Sequence, residues 1–156
     1  MIQIEIPGFE KLSLVHAVFD YNGTLAADGK MIKNVRKRLV KLGEQIDIHV
    51  ITADTFGMAA SQLKGIPVKL HILKKTNEDE QKQIYIKNLG ADRAAAFGNG
   101  NNDRSMLQAA RIGIAVIGKE GCSAMAIQSS DIIVTSILDG LDLLLQPLRC
   151  KATLRF

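Results

Sequence analysis

Aromatic residues are scarce in this sequence of 156 residues, which has five Phe, two Tyr and no Trp, together 4% of the chain. A net charge of +4 alone does not indicate a nucleic-acid-binding protein, because the sequence lacks the aromatic platforms and recognition motifs of that class. No apolar run approaches the roughly 20 residues that span a bilayer. The N-terminal stretch MIQIEIPGFEK lacks the basic start and apolar core of a secretory signal. We expect a cytoplasmic protein that binds neither membranes nor nucleic acid.

Cysteine is also rare, with only Cys122 and Cys150. Their spacing matches no metal-binding pattern, so we expect two free thiols. Much of the positive charge lies in residues 31–44, where apolar residues recur at helical intervals, namely Val35, Leu39 and Leu42. This pattern predicts a helix with one buried face and one solvated basic face, although a basic chain would equally suit a small anionic substrate.

Strand-like and helix-like segments alternate regularly along the chain. Near-continuous apolar runs, typical of strands covered on both faces, occupy Leu14–Asp20, Ile46–Asp54, Val68–Leu73, Ala94–Gly98, Ile112–Gly118 and Ile132–Thr135. Helical patterns between them occupy Ile32–Leu42, Phe56–Leu63, Glu78–Leu89, Asp103–Ala110, Cys122–Ser129 and Leu138–Leu145. This order predicts an α/β fold, a Rossmann-like doubly wound parallel sheet with helices on both faces, formed by one domain over residues 1–156.

The two ends of the chain follow a different pattern. IQIEI at residues 2–6 and KATLRF at residues 151–156 alternate apolar and polar side chains, so each is compatible with an edge strand. Pro147 is expected to end the last helix before this tail.

Small polar and acidic residues follow three of the strand-like runs. Asp20 ends the first run, Thr52 and Asp54 end the second, and the loop GNGNND at residues 98–103 follows the fourth. Because open α/β sheets bind ligands beyond the carboxyl ends of their strands, these positions predict a functional site. Glycines let the backbone approach an anion closely, and the side chains of the loop offer oxygen ligands to a cation such as Mg²⁺.

Each of these clusters also has a purely structural interpretation. Asp20 is suited to capping a turn, and Asp54 or Thr55 would cap the following helix better than Thr52. Asp103 falls in the first turn of a helix, where its charge suits the helix dipole. A nucleotide loop is a poor alternative, because GNGNND has no third Gly of the dinucleotide fingerprint and no GK[ST] follows. The agreement of three clusters at one edge favours a functional site.

A phosphate site with several carboxylates also needs a nearby cation. Four lysines precede the glycine-rich loop: Lys74, Lys75, Lys82 and Lys87. Spacing alone does not choose among them.

The segments DYNGTLA, ITAD, a lysine-bearing helix and GNGNNDRSML, in this order, resemble the four motifs of the haloacid dehalogenase (HAD) superfamily of phosphohydrolases. The most similar branch contains small soluble proteins like the phosphorylation domain of P-type ATPases, with the patterns D-K-T-G-T, T-G-D and G-D-G-x-N-D. The helix NEDEQKQIYIKNLG resembles the lysine helix of those pumps, which places the motif lysine at Lys82. The resemblance runs from about residue 14 to residue 145.

The resemblance implies a Mg²⁺-dependent phosphatase or phosphotransferase in which Asp20 is the nucleophile and forms an aspartyl phosphate. The implied catalytic residues are Asp20, Asn22, Thr52 and Lys82. The implied phosphate-binding residues are Asn22, Gly23, Thr52, Ala53 and Lys82. The implied metal-binding residues are Asp20, Asn22, Asn99 and Asp103.

Two positions depart from the family pattern. Asn22 stands where many members have an Asp that serves as general acid and base, so substrates whose leaving group needs a proton should react slowly. Asn99 stands where a metal-binding Asp is usual, and the lost negative charge should weaken Mg²⁺ binding. Two alternatives to an enzyme therefore stay open, a regulatory module that binds phosphate and metal without turnover and a structural subunit. The retained residues favour the enzyme, namely Asp20, Thr52, Lys82 and Asp103.

The spacing between the motifs leaves no room for a cap domain. The segment LAADGKMI, with its Asp28–Gly29 turn, resembles the flap hairpin that follows the nucleophile in the family. Capless members commonly cover their sites by forming oligomers or act on larger substrates. The resemblance therefore implies a phosphorylated substrate and suggests a homo-oligomer, while the substrate itself does not follow from the sequence.

Overall fold

The computed structural model describes residues 1–8, 11–54 and 57–156. Its strands are β1 Ile2–Ile4, β2 Leu12–Leu14, β3 His16–Asp20, β4 Ala26–Ala27, β5 Lys30–Met31, β6 Asp47–Thr52, β7 Val68–Ile72, β8 Ala94–Gly98, β9 Ile112–Val116 and β10 Ile132–Val134. Its helices are α1 Val35–Gly43, α2 Ala59–Leu63, α3 Glu78–Leu89, α4 Arg104–Ala109, α5 Ala124–Gln128, α6 Ile137–Leu145 and α7 Pro147–Leu154. Short 3₁₀ turns at Ala91–Arg93 and Asn101–Asp103 precede β8 and α4.

Six strands form one parallel sheet in the order β10-β9-β8-β3-β6-β7. Alternate residues of β3 face opposite sides of this sheet. Ala17 and Phe19 belong to a core shared with α1 and α6, whereas Val18 belongs to a core shared with α3 and α4. Helices therefore cover both faces, which explains the near-continuous apolar strands. The predicted doubly wound α/β fold is confirmed.

The predicted helices correspond to α1 through α6, and α3 has the predicted bounds. Helix α1 buries Val35, Leu39 and Leu42, the face that the sequence pattern indicated. The predicted start of the second helix, Phe56, lies outside the described residues, and α2 begins at Ala59. None of the helices in the described ranges is both long enough and apolar enough to cross a membrane.

The two ends of the chain form different structures. A strand forms within IQIEI as predicted, and this β1 pairs antiparallel with β2, with Ile2 opposite Leu14. The strand predicted for KATLRF is wrong, because α7 extends through Leu154. Helix α6 does end before Pro147, but Pro147 then begins α7, since a proline at the first helical position gives up no hydrogen bond. The new helix buries Cys150, and both cysteines are free thiols as predicted.

The hairpin β4–β5 follows β3 and corresponds to the predicted flap. Its turn residues Asp28 and Gly29 have φ angles of 52° and 72°, the positive values that a type I′ turn requires. Gln62 of α2 accepts a hydrogen bond from the Met31 N–H at 2.6 Å and donates one to the Gly29 carbonyl at 2.6 Å. On the other side the Asp28 N–H donates to Glu120 at 2.8 Å. The flap is thus anchored at both sides.

Candidate active site

The carboxyl ends of β8, β3 and β6 lie side by side, because these strands are neighbours in the sheet. They bring together the three polar clusters that the sequence predicted. A cavity of about 170 Å³ lies at this edge. Its lining residues are Asp20, Asn22, Thr52, Ala53, Glu78, Asn99, Gly100 and Asn102.

Lys82 is the cation of this site. Its side chain is fully buried, and its Nζ donates hydrogen bonds to Asp20 Oδ1 and to Asp103 Oδ1, both at 2.7 Å. The other three candidate lysines are exposed. The geometry therefore selects the lysine that the family resemblance indicated.

Asp103 organises the glycine-rich loop. Its Oδ2 accepts hydrogen bonds from the N–H groups of Asn99 and Gly100, at 2.9 and 2.8 Å. A Cβ atom on Gly98 would lie 2.4 Å from the Asp103 carboxyl carbon, which explains why glycine is needed there. Oδ1 accepts only the Lys82 hydrogen bond among the described contacts, so it keeps a lone pair for the metal-binding role that the resemblance implies.

Two carboxylates and one ammonium group are buried together here, which leaves one formal negative charge in excess. Burial, and then the charge of Asp103, raise the pKa of Asp20 to about 7, while Lys82 acts in the opposite direction. Burial alone would lower the pKa of Lys82, but the two carboxylates outweigh it and raise that pKa above its ordinary value. Lys82 therefore stays protonated, and a further cation would stabilise the ionised form of Asp20.

The turn after Asp20 brings the backbone close to the loop. Gly23 has a φ angle of 80°, and a Cβ atom there would lie 2.3 Å from Asn99 Nδ2. Its N–H donates to the Ala26 carbonyl at 2.8 Å, so in this conformation Gly23 contributes close approach rather than a phosphate donor. Asn22 Oδ1 is buried and has no hydrogen-bond partner within the described ranges.

Asn99 joins the loop to its surroundings through both atoms of its amide. Its Oδ1 accepts a hydrogen bond from the Thr24 hydroxyl at 3.3 Å, and its Nδ2 donates to the Gly121 carbonyl at 3.2 Å. The oxygen predicted to bind a metal is thus oriented by Thr24, a fully buried residue.

The sequence left open whether the polar residues at the end of β6 cap the next helix or contact a phosphoryl group. In the structure, Thr52 and Asp54 differ in this respect. Asp54 Oδ1 accepts a hydrogen bond from the Ala59 N–H at 3.0 Å, so Asp54 does cap the beginning of α2. Thr55, the other cap candidate, lies outside the described residues. Thr52 is 2% exposed, and its Oγ1 accepts from the Asp54 N–H at 2.9 Å. The hydroxyl proton of Thr52 is then directed elsewhere, which suits a donor to a phosphoryl oxygen.

Sequence reasoning missed two residues of the small cavity, Glu78 and Asn102. Asn102 Nδ2 donates to Glu78 Oε2 at 2.7 Å, a contact that links the glycine-rich loop to the beginning of α3. Glu78 precedes Lys82 by four residues on α3, so the two share one helix face. The four-residue spacing from Lys82 is the feature of the sequence that could have identified Glu78.

A larger cavity of about 740 Å³ extends between the flap and the ends of β9 and β10. Thr24, which donates a hydrogen bond to Asn99 Oδ1, also lines this cavity, so the wall of the larger cavity adjoins the site. Three lysines are part of its lining: Lys30, Lys33 and Lys119. Its size is that of a small-molecule site, and its charge suits an anion.

A family model described as haloacid dehalogenase-like hydrolase matches residues 81–121, the stretch with Lys82 and the glycine-rich loop. An uncharacterised protein of Methanocaldococcus jannaschii is 57% identical over 87 residues, which are 56% of this chain and 84% of that protein. These matches agree with the fold and with the four motifs on the family of this chain. It belongs to the HAD superfamily of hydrolases.

Two solved structures illustrate the range of the fold. The 3-deoxy-D-manno-octulosonate 8-phosphate phosphatase of Moraxella catarrhalis, in complex with magnesium, phosphate and KDO, has a TM-score of 0.64 at 22% identity, with 85% of this chain and 86% of that chain covered. A zinc-transporting PIB-type ATPase has a TM-score of 0.63 at 20% identity, with 79% of this chain but 20% of that chain covered. At these identities the likeness establishes the fold alone.

Proposed function

We propose that this protein is a Mg²⁺-dependent phosphatase in which Asp20 is the nucleophile. The observation that supports this most strongly is the buried network in which Lys82 bridges Asp20 and Asp103. Burying charged groups is costly for stability. Such a network at the edge where α/β folds bind ligands therefore favours chemistry over a capping role.

In the proposed reaction a carboxylate oxygen of Asp20 attacks the phosphorus atom of a phosphate monoester. The P–O bond to the alcohol breaks, and the alcohol oxygen takes up a proton from solvent. Water then attacks the phosphorus of the aspartyl phosphate, which releases inorganic phosphate and a proton and restores Asp20. Lys82, the Thr52 hydroxyl and the N–H groups of Asn22 and Ala53 are proposed as donors to the phosphoryl oxygens.

Mg²⁺ is the proposed cofactor. The residues at the site fit it, because they supply carboxylate, amide and carbonyl oxygens, the ligands that Mg²⁺ prefers, and because the buried network has one negative charge in excess. Asp20, the carbonyl group of Asn22 and the side chains of Asn99 and Asp103 would hold the ion, and Asp103 would also support the loop. When bound, the ion would neutralise charge on the phosphoryl oxygens.

The amide of Asn22 determines how fast phosphate monoesters are expected to react. An amide does not titrate, so no side chain at this position protonates the leaving alcohol. General acid–base catalysis contributes about 10²- to 10⁴-fold. Ordinary monoesters should therefore react slowly, whereas acyl phosphates, whose leaving groups need no proton, should suffer less.

The proposed substrate is a small phosphorylated molecule with a second anionic group. The phosphate would occupy the small cavity, and the rest of the molecule would extend over the flap side of the site toward the larger cavity. The lysines of that cavity favour a carboxylate or a second phosphate there. The similar Moraxella catarrhalis structure is a phosphatase of an acidic sugar phosphate and holds KDO, which is compatible with this class.

The alternative is a module that binds phosphate and metal without turnover. Asn22 and Asn99 favour it, because they remove the proton donor and one metal-binding charge. It predicts ligand binding that depends on Asp20 with no release of phosphate.

Phosphate release from a panel of compounds would test the proposal. The panel would include sugar phosphates, nucleotides and acetyl phosphate, each with and without Mg²⁺, for the wild type and for Asp20→Asn. The proposal predicts release that needs both Mg²⁺ and Asp20 and is fastest with acetyl phosphate. Phosphate binding without release from any compound would favour the binding module.

A further inference from the structure

The edge of the sheet opposite Asp20 carries a second cluster of polar side chains. His16 begins β3 and lies opposite Asp47, the first residue of β6, in the sheet register. His49 is two residues further along β6, so its side chain is on the same face as Asp47. One ligand atom from each of the three residues lies within 4.8 Å of the others. Neither the HAD motifs nor the proposed phosphatase reaction uses these residues.

The two imidazoles of this cluster are hydrogen-bonded at a distance that two ligands of one metal ion also have, and the carboxylate lies farther away. His16 Nδ1 lies 3.2 Å from His49 Nε2 and 4.0 Å from Asp47 Oδ2. Two nitrogen ligands at about 2.0–2.1 Å from a tetrahedral Zn²⁺ are about 3.3 Å apart. The two imidazoles therefore already have the spacing of ligands. We propose that His16, Asp47 and His49 bind Zn²⁺ or a similar transition-metal ion.

Tyr85 of α3 orients the imidazole ring of His49. Its hydroxyl lies 2.9 Å from His49 Nδ1, on the opposite side of the ring from His16. When His49 Nδ1–H donates to Tyr85, the lone pair of Nε2 points toward His16. Hydrogen bonding of the second ring nitrogen is the usual way in which a metal-binding histidine is oriented. Burial also lowers the pKa of His49 to about 4, so the ring is neutral at neutral pH.

Asp47 and the neighbouring cavity complete the geometry. The Asp47 side chain is 54% exposed, so a rotation can bring its carboxylate nearer to His16 Nδ1. An open cavity of about 310 Å³, lined in part by His16 and Asp47, provides a path for the ion and room for a water ligand. Three protein ligands and one water make four-coordinate Zn²⁺.

Lys69 competes with the ion. Its Nζ lies 2.8 Å from Asp47 Oδ2, and binding of a cation must loosen this contact. Burial lowers the pKa of His16, and the charges of Lys69 and Arg93 lower it further; these two charges also oppose a cation here. Replacing Lys69 should therefore strengthen metal binding, which is the opposite of the effect expected if the ion pair simply supports the fold.

This cluster is separate from the proposed magnesium site. His16 and Asp20 are the first and last residues of β3, about 13 Å apart at the usual rise of a strand. Nitrogen ligands also suit Zn²⁺ and disfavour Mg²⁺. The two ions are thus distinguishable by position and by ligand chemistry.

Calorimetry would test the inference. Zn²⁺ would be titrated into zinc-free protein in a buffer with excess Mg²⁺, which would occupy the proposed magnesium site. The wild type should bind one equivalent. Asp20→Asn should bind it equally well, whereas His16→Ala and Asp47→Asn should weaken binding at least tenfold. Tyr85→Phe should weaken it by about 10- to 100-fold, since the hydroxyl acts only through His49. Lys69→Gln should strengthen it.

His71→Ala is the histidine control, because His71 is exposed and is not one of the three proposed ligands, although its ring packs against Tyr85 with 4.9 Å between centroids. It should bind Zn²⁺ like the wild type. Co²⁺ should give the intense visible bands of a four-coordinate site in the wild type and lose them in His16→Ala. The inference is overturned when the wild type binds no Zn²⁺ in excess Mg²⁺. It is equally overturned when His16→Ala matches the wild type in stoichiometry and affinity.

Discussion

The two edges of the central sheet gather charged and titratable groups in different ways. At the carboxyl edge, Asp20 and Asp103 are held by the buried ammonium of Lys82. At the amino edge, His16 and His49 contact each other as rings, 5.2 Å between centroids, and the exposed Asp47 is paired with the exposed Lys69. The carboxyl edge buries ionised side chains whose charges must be balanced, whereas the amino edge buries the uncharged ring of His49.

Helix α3 supports both edges on the same face of the sheet. Lys82 reaches Asp20, and Tyr85, three residues later on the same helix side, reaches His49. One helix thus positions a side chain of each cluster, and the two proposed sites differ in the chemistry of their donor atoms. Oxygen atoms and a charge imbalance suit Mg²⁺ at one edge, and nitrogen atoms suit Zn²⁺ at the other.

The largest expected effect comes from breaking the ion network. Lys82→Met leaves two buried carboxylates without their cation, and removing one partner of a buried ion pair costs about 3–5 kcal/mol. The free energy of unfolding in urea should fall by this amount, and phosphate release should be lost. Lys87→Met, at an exposed position on the same helix, should change stability by less than about 0.5 kcal/mol. Equal stability of Lys82→Met and wild type would refute the structural role assigned to Lys82.

Restoring the missing acid should accelerate the reaction. In Asn22→Asp, a carboxyl group replaces an amide whose oxygen is buried and unpartnered among the described residues. Release of phosphate from sugar phosphates should rise by about 10²-fold, the lower end of general acid–base catalysis. Release from acetyl phosphate should change much less. A uniform rise for both substrates would contradict the assignment of a proton-donor role to this position.

The lysines of the larger cavity should affect one class of substrate. Lys33→Ala and Lys119→Ala should each raise the KM for phosphates that carry a second anionic group by about fivefold, the upper end expected for an exposed charge pair. The KM for acetyl phosphate should stay the same. An equal rise for all substrates would mean that these lysines do not contact the body of the substrate.

A surface ion pair away from both edges provides the smallest effect and a reference. Arg38 of α1 donates to both oxygens of Asp142 of α6, at 2.9 and 3.1 Å, and these hydrogen bonds hold the pKa of Asp142 below its usual value. A lowered carboxyl pKa stabilises the fold above the unfolded value of about 4, and that contribution is lost as the pH falls through the folded value.

Asp142→Asn should therefore cost about 1 kcal/mol at neutral pH and progressively less below pH of about 4. Urea unfolding of the variant and the wild type at neutral and acid pH would measure the difference. A cost that does not diminish in acid would indicate lost packing rather than a lost ion pair.

The grouping of residues at the carboxyl edge could be predicted because the ends of strands are visible in a sequence. Asp20 and Thr52 follow apolar runs, and parallel strands place such residues at one edge. Lys82 needed either the family resemblance or the structure, since four lysines had equivalent spacing. Glu78 and Asn102 were missed, although Glu78 is one helical turn from Lys82.

The amino edge and the chain ends were harder to predict for different physical reasons. His16 and His49 are 33 residues apart in sequence and become neighbours only through the pairing of β3 with β6. The C-terminal strand was wrongly predicted because alternation over six residues is weak information. Burial of Cys150 against the core selected a helix instead.

The most direct test of the central claim is to trap the phosphorylated enzyme. Wild-type protein would be mixed with acetyl phosphate and Mg²⁺, quenched in acid, and examined by intact mass and peptide mapping. We expect one phosphoryl group, located on Asp20, which is absent without Mg²⁺ and absent in Asp20→Asn. A folded wild type that gains no phosphoryl group and releases no phosphate from acetyl phosphate would contradict the claim that Asp20 is a nucleophile.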